Sequence, residues 1–253
     1  MKIRLNKAIA QMGICSRRKA DELIAIGHVC VNGKVVRDMG TKVEEGVDKI
    51  TIDNGYREII EKTLKTARHV YIVLNKPVDY ICSTASRQGE TVIDLITPDN
   101  FYKTTTDEVK NKLKDVRLYP VGRLDKDSEG LVLLTNDGGL TNTLTHPRYE
   151  HTKVYELSIP KPLDQKTQKV LEAGMSIGRG EHVEGIDIKK TFNKGRQTIV
   201  TIVLREGKNR QIRKMFGILG YHVQSLRRVS MGKITLGTIP VGKWKFVKRS
   251  DIV

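Results

Sequence analysis

The carboxylate of Asp125 has the setting in this sequence that most favours chemistry. It ends a turn at 121–125 and is followed by a polar loop at 126–130 and an apolar run at 131–134. A continuous apolar run between turn signals predicts a buried strand. Asp125 is therefore expected on a loop that a core strand holds in place, a common position for catalytic groups. An isolated aspartate could equally cap the turn. Asp127 lies close by, and paired carboxylates are typical of glycosidases.

Cations gather in a second segment, at 206–220. Apolar residues in this segment repeat at helical spacing, and they are Ile212, Met215, Phe216 and Leu219. The pattern predicts an amphipathic helix. Arg210, Arg213 and Lys214 follow at i, i+3 and i+4 on a neighbouring face. These cations could serve a site, or they could form an ordinary solvated face, as is expected for Lys214 in particular.

The long segment around Asp125 resembles the signature of the pseudouridine synthases, in the branch of RsuA and RluB. The matching residues are Gly122, Arg123, Leu124, Asp125, Ser128, Gly130, Leu131, Leu133, Leu134, Thr135, Asn136, Asp137 and Gly138. Two shorter motifs, KVYEL at 153–157 and NRQIRKM at 209–215, are also similar to this family. The resemblance implies that Asp125 is catalytic, that Tyr155 lies over the target base, and that Arg213 pairs with the catalytic carboxylate. Alone, Tyr155 could be a core aromatic residue on a strand.

The reaction that the resemblance implies breaks a C–N glycosidic bond and remakes it as C–C with the same base, so no cofactor is expected. It needs an ionised carboxylate, which a nearby cation would favour. Asp125 could attack C1′ or assist a glycal pathway, and Tyr155 or a water it orients could take the C5 proton. The uridine must leave its stack. Arg123 is expected to hold the opened site or to contact phosphate; Lys208, Arg210 and Lys214 are expected to contact RNA.

The first fifty-odd residues resemble the S4-type RNA-binding domain. Two helices are predicted, one carrying Leu5 and Ile9 and ending at Gly13, the other capped by Ser16. A strand at 28–31 and the turn pair Asn32-Gly33 predict a hairpin. The resemblance rests on Arg4, Leu5, Ser16, Arg17, Arg18, Ala20, Ile24, Gly27, Val29, Val31, Asn32 and Gly33. Phosphate contacts are expected from Arg4, Arg17, Arg18 and Lys19, although a solvated helix start is the competing interpretation for each cation.

The rest of the chain predicts an α+β fold with two domains, at 1–60 and 68–253, joined by a linker at 54–68. The second domain is expected to hold a mostly antiparallel sheet with flanking helices and a cleft across the sheet, with Asp125 at its floor. Predicted strands lie at 48–53, 70–74, 153–159, 184–190 and 198–204, and predicted helices at 91–96, 140–144 and 164–173. The segment 97–116 is expected to form a surface loop or helix. Arg227, Arg228 and Lys233 are expected to extend a positive surface.

Composition narrows the partners of the protein. The 253 residues include 45 Lys and Arg against 29 Asp and Glu, a net charge of +16 that favours a polyanionic partner. Aromatic residues make up only 5%, so stacking platforms like those of RRM sheets are not predicted. Three scattered cysteines predict neither a disulfide framework nor a metal site. No run has membrane-spanning length and no secretion signal is present, so a cytoplasmic location is expected.

These observations together predict an enzyme that converts a specific uridine of ribosomal RNA into pseudouridine. In the motifs NRQIRKM and KVYEL the sequence resembles the large-subunit members of this branch, which favours large-subunit RNA as the target. A monomer without a membrane partner is expected. The same enzyme acting on small-subunit RNA is one alternative. A non-catalytic RNA-binding or ribosome-assembly factor is another, and a glycosidase is the third. The joint presence of Asp125, Tyr155 and Arg213 favours the synthase.

Overall fold

A computed structural model gives the structure of the protein and describes residues 2–44, 46–53, 59–63, 68–85, 89–103, 107–114, 116–145, 151–178 and 180–253. The described α-helices are α1 (Leu5–Gln11), α2 (Arg17–Ala25), α3 (Asp107–Leu113), α4 (Gly138–Thr145), α5 (Gln165–Ala173) and α6 (Gln211–Ile218). Short 3-10 helices cover Pro98–Asn100 and Arg249–Asp251. None of the helices in these ranges has the length and apolar character needed to cross a membrane.

The strands are short in the first part of the chain and longer in the second. In order they are β1 (Lys2–Arg4), β2 (Val29–Val31), β3 (Lys34–Val36), β4 (Lys42–Glu44), β5 (Lys49–Asp53), β6 (Ile59–Thr63), β7 (Tyr71–Lys76), β8 (Tyr119–Val121), β9 (Glu129–Thr135), β10 (Lys153–Ile159), β11 (Met175–Ser176), β12 (His182–Val183), β13 (Asp187–Lys194), β14 (Gln197–Leu204), β15 (Ser225–Met231), β16 (Ile234–Thr235) and β17 (Trp244–Phe246). The chain divides into two compact units, 1–69 with 112–117, and 70–111 with 118–253.

The first unit packs two helices against short antiparallel strands. Its larger sheet has the order β3-β2-β5-β6, and β1 pairs separately with β4. The predicted helical stripes form the core, since Leu5, Ile9 and Ile24 are completely buried. Both helices, the hairpin and the predicted cap are confirmed: the Ser16 hydroxyl accepts from the Lys19 amide at 3.1 Å, and β2 turns into β3 through Asn32 at positive φ.

The predicted linker at 54–68 is wrong in one respect, because it contains β6. This strand pairs with β5 in antiparallel register from Lys49↔Thr63 to Asp53↔Ile59. Sequence patterning missed it because an edge strand is held chiefly by main-chain hydrogen bonds, which polar residues supply as well as apolar ones. The remaining parts of that prediction, at 54–58 and 64–67, lie outside the described residues.

The second unit is built on a single large sheet with the strand order β13-β14-β10-β15-β9-β7-β17, with β16 on β15 and β8 on β9. Every pairing in it is antiparallel except β15 with β9, which is parallel at Arg227↔Glu129 and Arg228↔Gly130. The predicted α+β class with a mostly antiparallel sheet is thereby confirmed. Asp137 immediately precedes α4. Its side chain accepts from the amides of Gly139 and Leu140 at the helix start and from the Tyr71 hydroxyl of β7.

One helix prediction in this unit requires correction. Residues 91–96 form a turn, in which Asp94 accepts from the amide and hydroxyl of Thr91. A side chain that satisfies local donors in this way competes with helix formation. The helix predicted from the apolar stripe in the segment 206–220 is confirmed as α6. It begins at Gln211, because Arg210 has left-handed backbone angles. The segment 97–116 contains the 3-10 turn Pro98–Asn100 and α3.

Candidate active site

The loop that carries Asp125 is fixed from below by a buried lysine. Lys76 ends β7 and is completely buried, and its Nζ donates to the carbonyls of Ser128 at 2.6 Å, Pro77 at 2.9 Å and Lys126 at 3.3 Å. Burial lowers the pKa of Lys76. Three carbonyl acceptors offset the cost of keeping this ammonium group away from water. The lysine therefore fixes the conformation of the main chain that follows Asp125.

Further main-chain bonds fix the two ends of the loop. The Leu124 amide donates to the Cys82 sulfur at 3.3 Å, and the Asp125 carbonyl accepts from the Ser128 amide at 3.1 Å. The loop then enters β9 at Gly130, where a Cβ atom would lie 2.3 Å from the Arg228 carbonyl oxygen. Only glycine permits this approach between β9 and β15. The side chain of Asp125 remains 28% exposed, accessible to a ligand.

Arg210 is the cation that faces both carboxylates of the loop. Its two terminal nitrogens each donate to one oxygen of Asp127 at 2.9 Å, a bidentate pair. One of these nitrogens, Nη1, also lies 3.8 Å from Oδ2 of Asp125. The hydrogen bonds from Arg210 lower the pKa of Asp127, and the same pair raises the pKa of Arg210. Asp127 thus orients Arg210 beside Asp125.

The predicted ion pair between Arg213 and Asp125 is wrong: Arg213 pairs with Asp127. Its Nε lies 3.2 Å from Oδ2 of Asp127, without hydrogen-bond geometry, and its Nη2 donates to the Asp127 carbonyl at 2.8 Å. Its Nη1 donates to the Val223 carbonyl at 2.9 Å, and the side chain is only 13% exposed. The prediction failed because α6 begins at Gln211, which places Arg213 one turn behind the residue that faces the cavity.

The segment before α6 is shaped by a buried glutamine. Gln211 accepts from the Lys208 amide at 3.0 Å and donates to the Glu206 carboxylate at 2.7 Å. These two bonds close the 206–210 loop onto the helix start. Left-handed angles in a residue other than glycine are uncommon and mark a position that its surroundings hold in place. At Arg210 they direct the loop so that this side chain reaches the aspartates.

Asp125 and Tyr155 line the same cavity, of about 860 Å³. Tyr155 lies in the middle of the sheet, paired with Ile202 on β14 and Arg228 on β15, and it is buried. A register shift between Val154 and Tyr155 interrupts the β10–β15 pairing at this point. Irregularities of this kind re-aim side chains near functional sites. The structure therefore brings the two predicted residues together, with Arg210 as the third member in place of Arg213.

The predicted RNA-contacting residues fall into three groups. Arg123, Lys208 and Arg210 are exposed and line the cavity. Lys214 does not belong to its lining and pairs with Glu181 at 3.6 Å. The remaining four, Arg4, Arg17, Arg18 and Lys19, are all exposed and belong to the first unit, three of them in the first turn of α2.

Sequence reasoning missed Lys153, and it placed Arg228 on the surface, which is wrong: Arg228 is 2% exposed and lines the cavity. The alternation of side chains along a strand could have identified both residues. Lys153 is two residues from Tyr155, and Arg228 is two residues from the buried Leu226, so each shares a face with a residue of the cavity. The strongly basic composition hid both, because basic residues were assigned to the exterior by default.

Comparisons with known proteins identify the family of the chain. The family model for RNA pseudouridylate synthase matches residues 70–217, and that for the S4 domain matches residues 3–48. An uncharacterized RNA pseudouridine synthase of Aquifex aeolicus is 36% identical over 254 residues, covering 100% of this chain and 93% of the relative. Ribosomal large subunit pseudouridine synthase B of Bacillus subtilis is 37% identical, covering 94% of this chain and 89% of its own.

Two further comparisons extend over almost the whole chain. The dual-specificity RNA pseudouridine synthase RluF of Escherichia coli is 34% identical over 99% of this chain and 77% of its own. A crystal structure of a pseudouridylate synthase superposes with a TM-score of 0.61 and 24% identity, covering 98% of this chain and 97% of that one, which supports the fold. The chain belongs to the RNA pseudouridylate synthase family and carries an S4 domain.

Proposed function

We propose that the protein isomerises a specific uridine to pseudouridine in ribosomal RNA of the large subunit. The observation that carries this proposal is the accessible carboxylate of Asp125, which shares a cavity with Tyr155 and lies 3.8 Å from the Arg210 guanidinium. The name of the Bacillus subtilis relative supports the large-subunit target. A ribosomal substrate implies action in the cytoplasm, and we expect the protein to act as a monomer.

The chemistry assigned to these residues needs no cofactor, because bond breaking and bond making occur within one nucleotide. Asp125 either attacks C1′ or assists a glycal pathway, and the Arg210 guanidinium lies 3.8 Å from its carboxylate. After the base has turned, C5 replaces N1 on C1′. The C5 proton is then removed by Tyr155 or by a water that it orients. Arg213 holds Asp127, and so acts on Arg210 through a neighbour.

Contacts to the RNA backbone are assigned to cations of both units. In the second unit, Arg123, Lys208 and Arg210 are exposed at the cavity and can contact phosphates next to the flipped nucleotide. Lys214 is a weaker candidate, since Glu181 already pairs with it. In the first unit Arg4, Arg17, Arg18 and Lys19 are exposed and are assigned to the phosphates of a second region of the RNA. Two separate sets of contacts must fit one RNA together, which favours one or few target sites.

Replacement of Asp125 by asparagine tests the catalytic assignment, and Asp127→Asn is the matched control. Asp125→Asn keeps the size of the side chain and removes the charge, so we expect tritium release from [5-³H]uridine-labelled ribosomal RNA to fall to background. Asp127→Asn can still accept hydrogen bonds from Arg210, so we expect lower but measurable turnover. Both variants should bind RNA. Turnover above background in pure Asp125→Asn protein would refute the assignment.

Deletion of the gene tests the target. Pseudouridines are mapped by carbodiimide-dependent reverse-transcription stops in wild-type and deletion cells. We expect the loss of one stop in large-subunit RNA, restored by the wild-type gene and not by the Asp125→Asn gene. Loss of a stop in small-subunit RNA or in tRNA would contradict the target and leave the catalytic assignment intact.

A further inference from the structure

Arg228 is a buried cation without the partners that a buried cation requires. Its Nε donates to the Leu131 carbonyl at 2.8 Å, and the side chain is 2% exposed. Its Nη2 is buried and has no hydrogen-bond partner among the described residues. A guanidinium has five donors and cannot shed its charge, so a buried position with idle donors is costly. Such an arrangement is maintained where a ligand supplies the missing acceptors.

A second cation, Lys153, adds to the same positive region. It also lines the cavity, and among the described residues its Nζ donates only to the Glu206 carbonyl, at 3.4 Å. Burial, and then the charge of Arg228, lower the pKa of Lys153. The Glu206 carboxylate counteracts this shift, but its Oε1 already accepts from the Glu184 amide and from Gln211. Asp125 has Arg210 as its ion-pair partner. Two of the three carboxylates in the described cavity lining, Asp125 and Glu206, thus have other partners, and the third, Glu184, belongs to an exposed residue.

The depth of the cations in the cavity indicates which part of a nucleotide each one meets. Arg123, Lys208 and Arg210 are exposed, whereas Arg228 is buried. Its neighbours in the lining include buried apolar side chains, among them Leu204, Ile212, Leu226 and Met231. A phosphate is strongly hydrated and suits the exposed cations, while a planar base suits an apolar pocket with a few fixed polar groups. The gradient therefore favours the base at Arg228.

We propose that Arg228, supported by Lys153, binds the carbonyl oxygens of the target uracil and stabilises the negative charge that the ring acquires when its glycosidic bond breaks. This inference rests on the proposed function and assigns it a further catalytic residue. When the C1′–N1 bond breaks, the electron pair leaves with the ring, which becomes an anion delocalised over N1, O2 and O4. Fixed donors aimed at developing charge in a cavity shielded from water are an effective form of stabilisation.

The electron balance is the same for both pathways open to Asp125. If Asp125 attacks C1′, its carboxylate supplies the pair for the new ester bond while the uracil anion departs. In a glycal pathway, the C2′ proton is removed and its electrons form the sugar double bond as the same anion departs. The ring then turns and C5 bonds to C1′. In the first pathway this breaks the ester and releases the Asp125 carboxylate with its electron pair; in the glycal pathway the electrons of the sugar double bond take up the proton that C2′ had lost. In either case the C5 proton is then lost and N1 gains a proton. Arg228 stabilises the anion after the C1′–N1 bond has broken and before the C1′–C5 bond forms.

The test measures coupling between Arg228 and single atoms of the substrate. The probe is a short RNA ligated around the uridine found by the mapping experiment, with uridine, 2-thiouridine, 4-thiouridine or a 5′-methylphosphonate at the target. Sulfur accepts hydrogen bonds more weakly than oxygen, and the methylphosphonate removes one backbone charge. Single-turnover rates are measured for wild-type protein, Arg228→Gln and Arg228→Lys. Any intrinsic effect of sulfur on the ring is common to all three proteins and cancels in the comparison.

We expect Arg228→Gln to lower the single-turnover rate on uridine roughly 100-fold, the cost of losing one donor to developing charge. Arg228→Lys should recover part of this loss. The salt dependence of RNA binding should be unchanged, because no phosphate contact is lost. One thio substitution should slow the wild-type protein and have no further effect on Arg228→Gln. Coupling to the methylphosphonate, or to none of the three analogues, would overturn the inference.

Two controls keep the outcome interpretable. If Arg228→Gln does not reach the fold of the wild type by circular dichroism, Lys153→Met is put through the same series. It should show the same coupling to a thio analogue, and its absence would refute the inference. If wild-type protein leaves the uridine unmodified, it is the proposed function that fails. If wild-type protein is active without coupling at Arg228, only the present inference fails.

Discussion

The two arginines near the start of α6 have different roles: Arg213 supports the fold, and Arg210 acts in the site. Because their contacts differ, substitutions of the two should affect different properties. Arg213 is 13% exposed and donates to the carbonyls of Asp127 and Val223, so Arg213→Met would leave both acceptors unsatisfied. We expect it to lower the free energy of unfolding by about 1–3 kcal/mol. Arg210 is 43% exposed, so Arg210→Met should change stability by less than about 1 kcal/mol and reduce turnover strongly. Urea unfolding measures the stability of each variant, and tritium release measures its turnover. A larger loss of stability in Arg210→Met than in Arg213→Met would contradict this division.

The ion pair between Asp127 and Arg210 should stabilise the fold to an extent that depends on pH. Because Arg210 lowers the pKa of this carboxyl in the folded protein, the pair stabilises the fold above the unfolded pKa of about 3.9. The stabilisation is lost as the pH falls through the lower folded value. We expect the melting temperature of Asp127→Asn to lie below that of the wild type at pH 7, with the difference shrinking below about pH 4.

The control for the acid effect is Asp107→Asn, because the Asp107 side chain is 94% exposed. This variant should differ from the wild type by much less than Asp127→Asn at every pH, since an exposed ion pair and a single charge at a helix N-terminus both contribute little. A difference between wild type and Asp127→Asn that persists unchanged at pH 3 would show that Asp127 acts through packing and not through its charge.

The contact between β9 and β15 is the junction on which the site depends. The parallel pairing at Arg228↔Gly130 places Arg228 beside the strand that leaves the Asp125 loop. At Gly130, with φ of +103°, a methyl group would collide with the Arg228 main chain. Gly122, at φ of +68°, has open space around the same atom. The two glycines differ in surroundings and share a backbone region unfavourable to other residues.

We expect Gly130→Ala to reduce the free energy of unfolding by about 3 kcal/mol or more, since strain and overpacking add. Gly122→Ala should cost only about 1 kcal/mol, from backbone strain alone. Chemical denaturation of the two variants measures the difference. Equal losses would mean that β9 can move away from β15 without penalty, and Arg228 would then lack the fixed position that the site requires.

Much of this arrangement was predictable from local patterns, and the failures share a physical cause. Periodicity and caps located α1, α2, α5 and β10, and the motif around Asp125 located the loop. The position of Arg213 was mispredicted because a helical pattern continues through Arg210, whereas buried Gln211 bonds to the preceding loop and delays the helix. Arg228 was assigned to the surface because charge outweighed the alternation of β15. Side-chain bonds within the 206–211 segment decided the first position, and a contact with the distant strand β9 decided the second. Apolar and charged spacing reports neither kind of contact.

Exposed cations occur in both units of the chain. The salt dependence of RNA binding can show which of them contact phosphates. Arg17, Arg18 and Lys19 are exposed in the first turn of α2, an unfavourable place for cations in the helix dipole. A function in phosphate contact explains their position. Lys19 also pairs with Glu22 at 2.9 Å, which leaves the two arginines as the stronger candidates. This unit should therefore supply affinity for RNA and take no part in the chemistry.

The triple change Arg17→Gln, Arg18→Gln and Lys19→Gln tests this division. Each phosphate contact to single-stranded RNA contributes about 0.7 to the slope of log affinity against log salt, so three lost contacts should reduce the slope by about 2. The rate at saturating RNA should be unchanged. The control replaces Lys166, Lys169 and Lys190, three exposed lysines of the second unit, by glutamine. Both variants carry the same net charge, so an equal fall in both slopes would reveal a general electrostatic effect. A fall confined to the α2 variant would require phosphates bound at that helix, because only a localised contact releases counterions from one face and not from another.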